Sequence, residues 1–374
     1  MKSSPTSPED LLRSTLEAVA PGTELRDALE RIARGRTGGL IVLGYDPVVE
    51  SICSGGFELD VRFSATRVRE LAKMDGAVVI DFQNGRIVRA AVQLLPDPSI
   101  PTGESGTRHR TAERVAKQTG HPVISVSQSM NIAALYVHDI RHVLLDPEEL
   151  ASRASQALAT LERYRARLEE VSATLTALEV EDQATARDVA AVAGRQEMVW
   201  RIGQEIAAVL AELGTEGRLL RLQFEELIGG IGQERRLLVR DYSRTPAEPT
   251  GAAGTTASDT DKDPVEAILA ELAKMPATAL IEPESVAQAM NLIDVPTSVD
   301  TPLSARGFRL VSKVPGLDGR TVGRIVSHFH SLQAILSASL ADLALVEGLW
   351  RERARAIREG LSRIAETATL ERFV

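Results

Sequence analysis

Cysteine and long apolar runs are scarce in this sequence of 374 residues. The single cysteine, Cys53, excludes a disulfide framework within the chain and a metal site built from several cysteines. No apolar run approaches the roughly 18 residues of a membrane-spanning helix, and the first ten residues include Ser, Pro, Glu and Asp instead of an apolar signal segment. We therefore expect a cytoplasmic protein without membrane contact. Cys53 ends a strand-like patch, Val48 to Cys53, where a packed thiol is the simpler prediction.

Positive charge is also in deficit over the whole chain. The net charge of −9 argues against a protein that coats nucleic acid along its full length. The average hides a basic segment, because residues 306–363 contain ten Arg or Lys against five Asp or Glu. A basic segment on an acidic chain indicates that one module contacts phosphate while the rest does not.

The length favours two or three domains rather than one. We predict an α/β domain with a mixed sheet flanked by helices, an all-α helical spine, a flexible connector rich in small and polar residues, a helical linker, and an all-α helix–hairpin–helix domain. In that order they span residues 1–146, 147–243, 244–263, 264–303 and 304–374.

The spacing of apolar residues supports this division. Gly76–Ile80 and Arg86–Val92 predict two strands joined across Asn84-Gly85, which is a strong hairpin signal. In the spine, apolar residues step by three and four along one long helix, and two further helical runs follow at Ala184–Leu213 and Arg218–Arg240. These apolar stripes are packing surface rather than a cofactor site.

The loop that ends at Thr107 is the stretch with the clearest chemistry. Gly103 and Gly106 allow backbone N–H groups to turn inward, and the positive end of the following helix points at the loop. The polar side chains suit phosphate: Thr107, Arg108, His109, Arg110 and Thr111. No Gly-Lys-Ser/Thr ends the loop and no GxGxxG is near it, so it is not a Walker A loop. We favour polyphosphate binding over a solvated basic loop that caps a surface helix.

Asp75 lies in a turn, Met74-Asp75-Gly76-Ala77, immediately before an apolar strand. Its carboxylate suits a divalent cation, and Gly76 would let the backbone approach a ligand closely. Ordinary turn chemistry explains an Asp-Gly pair as well when the pair is taken alone. A carboxylate for Mg²⁺ beside a phosphate-binding loop is what nucleotidyl transfer requires, and this combination favours the functional interpretation.

Two further residue types could complete such a site. Ser127, at the end of another strand, could add a hydroxyl, and so could Ser125 on the same strand face; the sequence does not choose between them. We expect the two flanking arginines to lower the pKa of His109 by like charge, so that a neutral imidazole donates a hydrogen bond to a phosphate oxygen.

The tail contains two similar turns, Val314–Gly319 and Val346–Trp350, each ahead of an arginine-bearing helix. Glycine at the turns would let backbone N–H groups contact DNA phosphates, and arginines would neutralise neighbouring ones. The candidate DNA-binding residues are Gly316, Arg320, Arg324, Gly348, Arg351, Arg353 and Arg355. The alternative is a helical docking or oligomerisation module with a solvated arginine face.

Asp75-Gly76-Ala77 followed by Thr107-Arg108-His109-Arg110-Thr111 resembles the DGA and RHR motifs of diadenylate cyclases. The order of domains is similar to that of the DisA family of DNA integrity scanning proteins, over nearly the whole chain. The resemblance implies synthesis of cyclic di-AMP from ATP with release of pyrophosphate and with Mg²⁺ or Mn²⁺ as cofactor. The tail departs from the usual pattern, because Asp318 and Trp350 occupy positions where the second glycine of each hairpin is expected.

The same resemblance assigns roles to residues. It implies that Asp75 binds the metal and helps to activate the ribose 3′-hydroxyl, while Arg108 and His109 act on the phosphates. It implies contacts to ATP from Gly76, Ala77, Leu94, Thr107, Arg110, Thr111 and Ser127. Nothing in the chemistry of Leu94 alone would have selected it.

The product joins two nucleotides reciprocally, so two equivalent sites facing across a two-fold axis are needed. The resemblance implies an octamer and a tail that binds branched DNA such as Holliday junctions and thereby slows the cyclase. The alternative function is a scaffold that binds branched DNA and whose head binds nucleotide without turnover. A nucleotidyltransferase that modifies a protein or RNA is a third, less favoured interpretation.

Overall fold

The computed structural model describes residues 7–128, 132–243, 263–293 and 298–371. The chain forms two compact units, the first made of Met1–Ala157 with Glu205–Gln223 and the second of Leu158–Gln204 with Phe224–Val374. Within the described ranges, no helix combines the length and the apolar character needed to cross a membrane. The expected connector, residues 244–263, lies outside the described residues except for Asp263.

The first unit is built around a mixed sheet. Its strands are β1 Gly39–Leu43, β2 Cys53–Ser54, β3 Phe57–Arg62, β4 Ala77–Asp81, β5 Arg86–Leu94, β6 Val123–Val126, β7 Ala133–Val137 and β8 Ile140–Leu144. Its early helices are α1 Pro8–Ala18, α2 Glu24–Arg34, α3 Pro47–Ser51, α4 Ala65–Leu71 and α5 Thr107–Thr119. The strand order is β2-β5-β4-β1-β6-β7-β8, with β3 paired to β5. Strand β1 runs parallel to β4 and antiparallel to β6.

Both faces of this sheet are covered, because its central strands are apolar on both sides. Ile41, Ile80 and Ile124 pack on one face with α1, α2 and α4. Val42, Val79 and Val123 pack on the other face with α5. The alternation of side chains along a strand therefore decides which residues meet α5.

Long helices follow the sheet: α6 Pro147–Val180, α7 Ala186–Leu213, α8 Arg218–Ile228 and α9 Ile231–Tyr242. The remaining helices are α10 Pro264–Lys274, α11 Pro283–Ala289, α12 Phe308–Ser312, α13 Gly319–Phe329, α14 Leu332–Ser337, α15 Leu340–Leu343 and α16 Arg351–Glu371, with a 3₁₀ turn at Ala279–Ile281. In the second unit, α12 to α16 enclose a core that includes Val311, Ile325, Ile335, Ala354 and Ile357.

Within the second unit, the carboxylate of Asp241 holds the beginning of α12. It accepts hydrogen bonds from the backbone N–H groups of Gly307, Phe308 and Arg309 at 2.7, 2.6 and 2.7 Å. Burial and the neighbouring charge of Glu179 raise the pKa of Asp241 to about 7. The buried Arg309 guanidinium pairs with Glu179, which also accepts a 2.7 Å hydrogen bond from the hydroxyl of Tyr242.

The predicted fold class is confirmed: an α/β domain with a mixed sheet, an all-α spine and an all-α helix–hairpin–helix tail. Two local predictions are wrong. The patch Val48–Cys53 is mostly helix α3, because Pro47 begins a turn whose Val49 N–H bonds to the side chain of Asp46 at 2.8 Å. The run Arg218–Arg240 is two helices, because Gly230 takes a φ of +79° and ends the first.

Candidate functional sites

One edge of the sheet brings the first set of candidate residues together. Strands β1 and β4 are parallel and both begin there, at Gly39 and Ala77, while their antiparallel neighbours β6 and β5 both end there. Residues just before β1 and β4, or just after β6, therefore share this edge. Asp75 and Ser127 are among them.

The turn before β4 can be made only by glycine. Gly76 has a φ of +109°, and a Cβ atom at this position would lie 2.6–2.9 Å from backbone atoms of Ala91 and Val92 in β5. Ala91 itself has a φ of +53° at an irregularity in the β4–β5 pairing. The close approach therefore fixes the position of the neighbouring Asp75 against β5.

Asp75 presents a free carboxylate face to solvent. Its side chain is fully exposed, its Oδ1 accepts the Gly76 N–H at 3.1 Å, and the Arg108 guanidinium lies 3.7 Å from the same oxygen. No cluster of three or more His, Cys, Asp or Glu side chains suited to a metal occurs in the described ranges. A single carboxylate fits Mg²⁺ or Mn²⁺ when substrate phosphates and water supply the other ligands.

Arg108 reaches this edge across Gly38. Gly38 has a φ of +68°, and a Cβ atom there would overlap Nη1 of Arg108 and approach the carbonyl oxygen of Val126 at 3.2 Å. The guanidinium thus lies between the beginning of β1, the end of β6 and the Asp75 turn. Sequence reasoning missed Gly38, because nothing in a glycine ahead of a strand indicates which side chain crosses it.

The N-terminus of α5 has no capping side chain. Its N-cap is Gly106, with a φ of −81° that any residue could adopt, and the first turn contains no acidic residue. The N–H groups of that turn and the positive end of the helix dipole therefore remain available to an anion. We expected Gly106 to turn its N–H group inward through a conformation that favours glycine, but its backbone conformation is ordinary.

The loop before α5 is tied to the helix by side chains. The Thr102 hydroxyl donates to Glu113, which also accepts from Lys117 at 2.8 Å. Arg114 donates from Nε to the carbonyl oxygen of Ile100 at 2.9 Å. These bonds hold the loop in place without a ligand, so less entropy is lost when a ligand binds.

His109 points away from Arg108, into the sheet. Its Nδ1 lies 2.9 Å from the hydroxyl of Tyr136, which donates to Glu104 at 2.9 Å, and Glu104 pairs with Arg141 at 2.6 Å. The pKa of His109 is lowered, as expected, but burial is the main cause and Arg141 contributes rather than the flanking arginines. Sequence reasoning missed Tyr136, Glu104 and Arg141.

The tautomer of His109 follows from this chain. The Tyr136 hydroxyl uses its one proton to donate a hydrogen bond to Glu104, so it can only accept from His109. In neutral His109 the ring proton therefore lies on Nδ1, and Nε2 can only accept. That Nε2 is buried and has no partner within the described part of the chain. With this hydrogen-bond pattern, donation from Nε2 needs a second proton on the ring.

The other predicted residues lie at the same edge with different exposure. Ala77 and Leu94 are buried on the α5 face, whereas Thr107 and Arg110 are exposed and the Thr111 hydroxyl donates to the Thr107 carbonyl at 3.0 Å. Ser125 is fully buried between β1 and β7. Ser127, which follows β6, is the partly exposed serine of the two. Accessibility therefore favours Ser127 as the ligand contact.

The tail places its candidate residues on two unequal hairpins. Gly316 and Gly348 have φ values of +81° and +79°. Asp318 is the N-cap of α13, where its side chain accepts the Thr321 N–H at 3.2 Å. Trp350 precedes α16, and its carbonyl oxygen accepts the Ala354 N–H at 2.9 Å.

The candidate arginines of the tail are all exposed: Arg320, Arg324, Arg351, Arg353 and Arg355. Arg324 lies across the second hairpin, donating to the Glu347 carbonyl at 2.8 Å, and Arg355 pairs with Glu359 at 2.8 Å. Arg320, Arg351 and Arg353 have no ion-pair partner among residues 298–371.

Three family models match consecutive parts of the chain. They are DisA bacterial checkpoint controller nucleotide-binding over residues 26–140, DisA bacterial checkpoint controller linker region over residues 144–297, and SAM-like helix-hairpin-helix tandem over residues 308–363. The sheet edge falls in the first match and both hairpins in the third.

Curated relatives match the chain from end to end. The chain is 56% identical to the DNA integrity scanning protein DisA of Streptomyces coelicolor over 366 residues, 98% of this chain and 95% of the relative. It is likewise 56% identical to DisA of Kineococcus radiotolerans, over 98% of this chain and 99% of the relative. A third relative, DisA of Acidothermus cellulolyticus, is 55% identical over 98% and 96% of the two chains.

Proposed function

The chain belongs to the DisA family and has its diadenylate cyclase domain, and from this we propose that it condenses two ATP molecules into cyclic di-AMP and two pyrophosphates. The observation that carries the proposal is the meeting of Asp75, Gly76 and Arg108 at one sheet edge, in front of an uncapped helix N-terminus. Positioning and charge neutralisation are the main requirements of phosphoryl chemistry, and this edge offers both.

In the proposed reaction, the 3′-hydroxyl oxygen of one ATP attacks the α-phosphorus of the other. A P–O bond forms, the bond between the α-phosphorus and the bridging oxygen breaks, and pyrophosphate leaves with its electron pair. Asp75 would accept the hydroxyl proton and pass it to solvent. When bound to Asp75, Mg²⁺ or Mn²⁺ would neutralise phosphate charge and lower the pKa of the hydroxyl.

The remaining residues bind and orient the nucleotide. Arg108 and the N–H groups at the beginning of α5 hold phosphate oxygens, and Thr107, Arg110, Thr111 and Ser127 extend the polar contacts. Gly76, Ala77 and Leu94 supply close-packed backbone at the strand ends. For His109 to bind a phosphate oxygen, its buried Nε2 must become accessible when ATP binds and the ring must take a second proton, which the negative charge of ATP favours.

One site cannot complete the product, so we propose that two copies of the chain face each other across a two-fold axis. Each copy then offers the α-phosphate of its own ATP to the 3′-hydroxyl held by the other. An octamer built from such pairs is the assembly proposed here. The helix–hairpin–helix tail binds branched DNA, and this binding lowers the rate of cyclic di-AMP synthesis.

The test is incubation of the purified protein with ATP and Mn²⁺ or Mg²⁺, followed by mass spectrometry, with and without a four-way DNA junction. We expect a cyclic di-AMP signal that the junction suppresses. Absence of the signal with both metals, together with retained ATP and DNA binding, would leave the scaffold function. An AMP-modified acceptor without cyclic dinucleotide would indicate a different nucleotidyltransferase.

A further inference from the structure

Trp350 is an unpartnered aromatic side chain at the tip of the second hairpin. It is 77% exposed, although its neighbours Val346 and Leu349 are buried in the core of the tail. Trp350 is not among the described non-glycine residues with positive φ, so its backbone conformation does not demand glycine. The indole ring adds nothing to the core of the tail, so its large flat face is available to a partner.

The charges around Trp350 indicate what it contacts. Arg351 and Arg353 follow it on the first turn of α16, both exposed and without an ion-pair partner within residues 298–371. Arg324 reaches the same hairpin from α13, where a Cβ atom at Gly348 would overlap its Nη1. The nearby acids, Glu347 and Glu352, are fewer than the cations. A flat aromatic ring among guanidiniums suits a polyanion that also offers flat rings.

The two hairpins differ in the side chain that lies at the beginning of the helix that follows. In the first, the charged Asp318 side chain occupies the beginning of α13, and hydrogen bonds from Thr321 lower its pKa. That carboxylate fills the place a phosphate would take at the helix N-terminus. At the second hairpin, the residue before α16 is a tryptophan rather than an acid. The position before α16 is therefore free of the carboxylate that blocks α13, although Glu352 lies in the first turn of α16.

We propose that Trp350 stacks on a DNA base face that is left uncovered at a branch point or gap, and that this contact makes the tail prefer branched or gapped DNA to continuous duplex. In a continuous duplex each base face is already covered by its stacked neighbours, so Trp350 has no face to contact. At a branch point or gap a base can unstack, and the ring can cover it while the arginines hold the flanking phosphates. The proposal rests on the DNA-binding role proposed for the tail.

The test compares affinities of the full-length protein for a fluorescently labelled four-way junction and for a duplex with the same arm sequence. Replacing Trp350 with Ala should lower junction affinity about tenfold, as loss of one stacked base does, and leave duplex affinity unchanged. Trp350→Phe should retain most of the preference. Leu345→Ala is the matched control, because Leu345 is 73% exposed on the same segment and is apolar but not aromatic.

A second readout detects the stack directly. With 2-aminopurine placed at the branch point, wild-type protein and Trp350→Phe should quench its fluorescence, and Trp350→Ala should not. Because Trp350 lies outside the core, circular dichroism and cyclic di-AMP synthesis without DNA should be the same in all variants.

The outcomes separate this inference from the function on which it rests. Equal loss of junction and duplex affinity in Trp350→Ala, or no loss at all, overturns the stacking proposal while DNA binding stands. If Trp350→Ala and Leu345→Ala both change self-association and leave DNA affinity unchanged, this surface contacts protein. That result also overturns the stacking proposal. Failure of the wild-type protein to bind either DNA overturns both.

Discussion

The hydroxyl of Tyr136 lies 2.9 Å from Nδ1 of His109 and donates a hydrogen bond to Glu104 at 2.9 Å. Tyr136 is fully buried in β7, and its pKa is raised by burial and by the hydrogen bond to Glu104, so it stays protonated in the range where proteins are stable. The imidazole is thereby held in one orientation and one tautomer. The proposed phosphate contact of His109 depends on a residue that touches no nucleotide.

Replacing Tyr136 with Phe should lower kcat/KM for ATP about tenfold, because His109 loses the acceptor that orients it. The ring still fills its place, so the free energy of unfolding should fall by only about 1–3 kcal/mol, the cost of the lost hydrogen bonds to His109 and Glu104. Initial rates and urea unfolding measure the two effects. A variant with normal kcat/KM would show that His109 needs no positioning by Tyr136.

The protonation of His109 on binding predicts a pH dependence. Burial places the pKa of free His109 below its usual value of 6.5, so most of the free protein carries a neutral ring at pH 7. If bound ATP restores the second proton, KM for ATP rises as pH rises through neutrality, and His109→Gln removes that part of the dependence. Buffers of different ionisation enthalpy in calorimetry should report proton uptake by wild type. Equal pH profiles for wild type and His109→Gln would mean that the neutral ring binds as an acceptor.

Asp75→Asn separates catalysis from folding. The side chain is fully exposed and its pairing with Arg108 is loose, so the free energy of unfolding should change little. Loss of the negative charge removes the proposed metal ligand, and cyclic di-AMP synthesis should fall at least about a hundredfold. DNA affinity should stay the same, which is the internal control. Synthesis at the wild-type rate would remove Asp75 from the mechanism.

Gly76→Ala and Gly85→Ala form a matched pair on the same β4–β5 hairpin. Both glycines have positive φ, but a Cβ atom at Gly76 would meet the backbone of β5, while at Gly85 nothing lies within 4 Å. Gly85→Ala should cost roughly 1 kcal/mol and leave synthesis intact. Gly76→Ala should cost more, about 3 kcal/mol or above, and abolish synthesis by moving Asp75. Similar effects of the two substitutions would refute the close-approach role of Gly76.

Asp241 predicts how stability varies with pH. Its folded pKa of about 7 exceeds the reference value of 3.8, so between those pH values the folded state binds more protons than the unfolded state. The stabilising contribution is therefore complete at low pH and declines as pH rises toward 7, by at most about 1.4 kcal/mol per pH unit. Urea unfolding from pH 4 to 7 should show a flatter profile for Asp241→Asn. If that variant does not fold, carbon NMR of the Asp241 carboxyl in wild type measures the same titration.

The sequence predicted those members of the candidate site whose motifs are local. A short polar motif beside an apolar run contains each of Asp75, Gly76 and Arg108. Such a motif can be recognised without knowing the fold. His109 and Tyr136 are 27 positions apart and meet only because α5 packs on the face of the sheet that carries Tyr136 in β7. A tyrosine in an apolar strand predicts a core residue, and Tyr136 is indeed buried in the core. Its hydrogen bond to His109 therefore gives no signal in the sequence. The boundaries of α3 depended on a capping contact of Asp46 that apolar spacing does not reveal.

Because Arg108 crosses over Gly38, few substitutions should be tolerated at position 38. Every missense change in a glycine codon adds a Cβ atom, and at position 38 that atom overlaps the Arg108 guanidinium. A single-base change can therefore displace Arg108, the arginine proposed to bind phosphate, from 70 positions away. Any other residue at position 38 would strain a backbone with a φ of +68° and force the end of the Arg108 side chain to move.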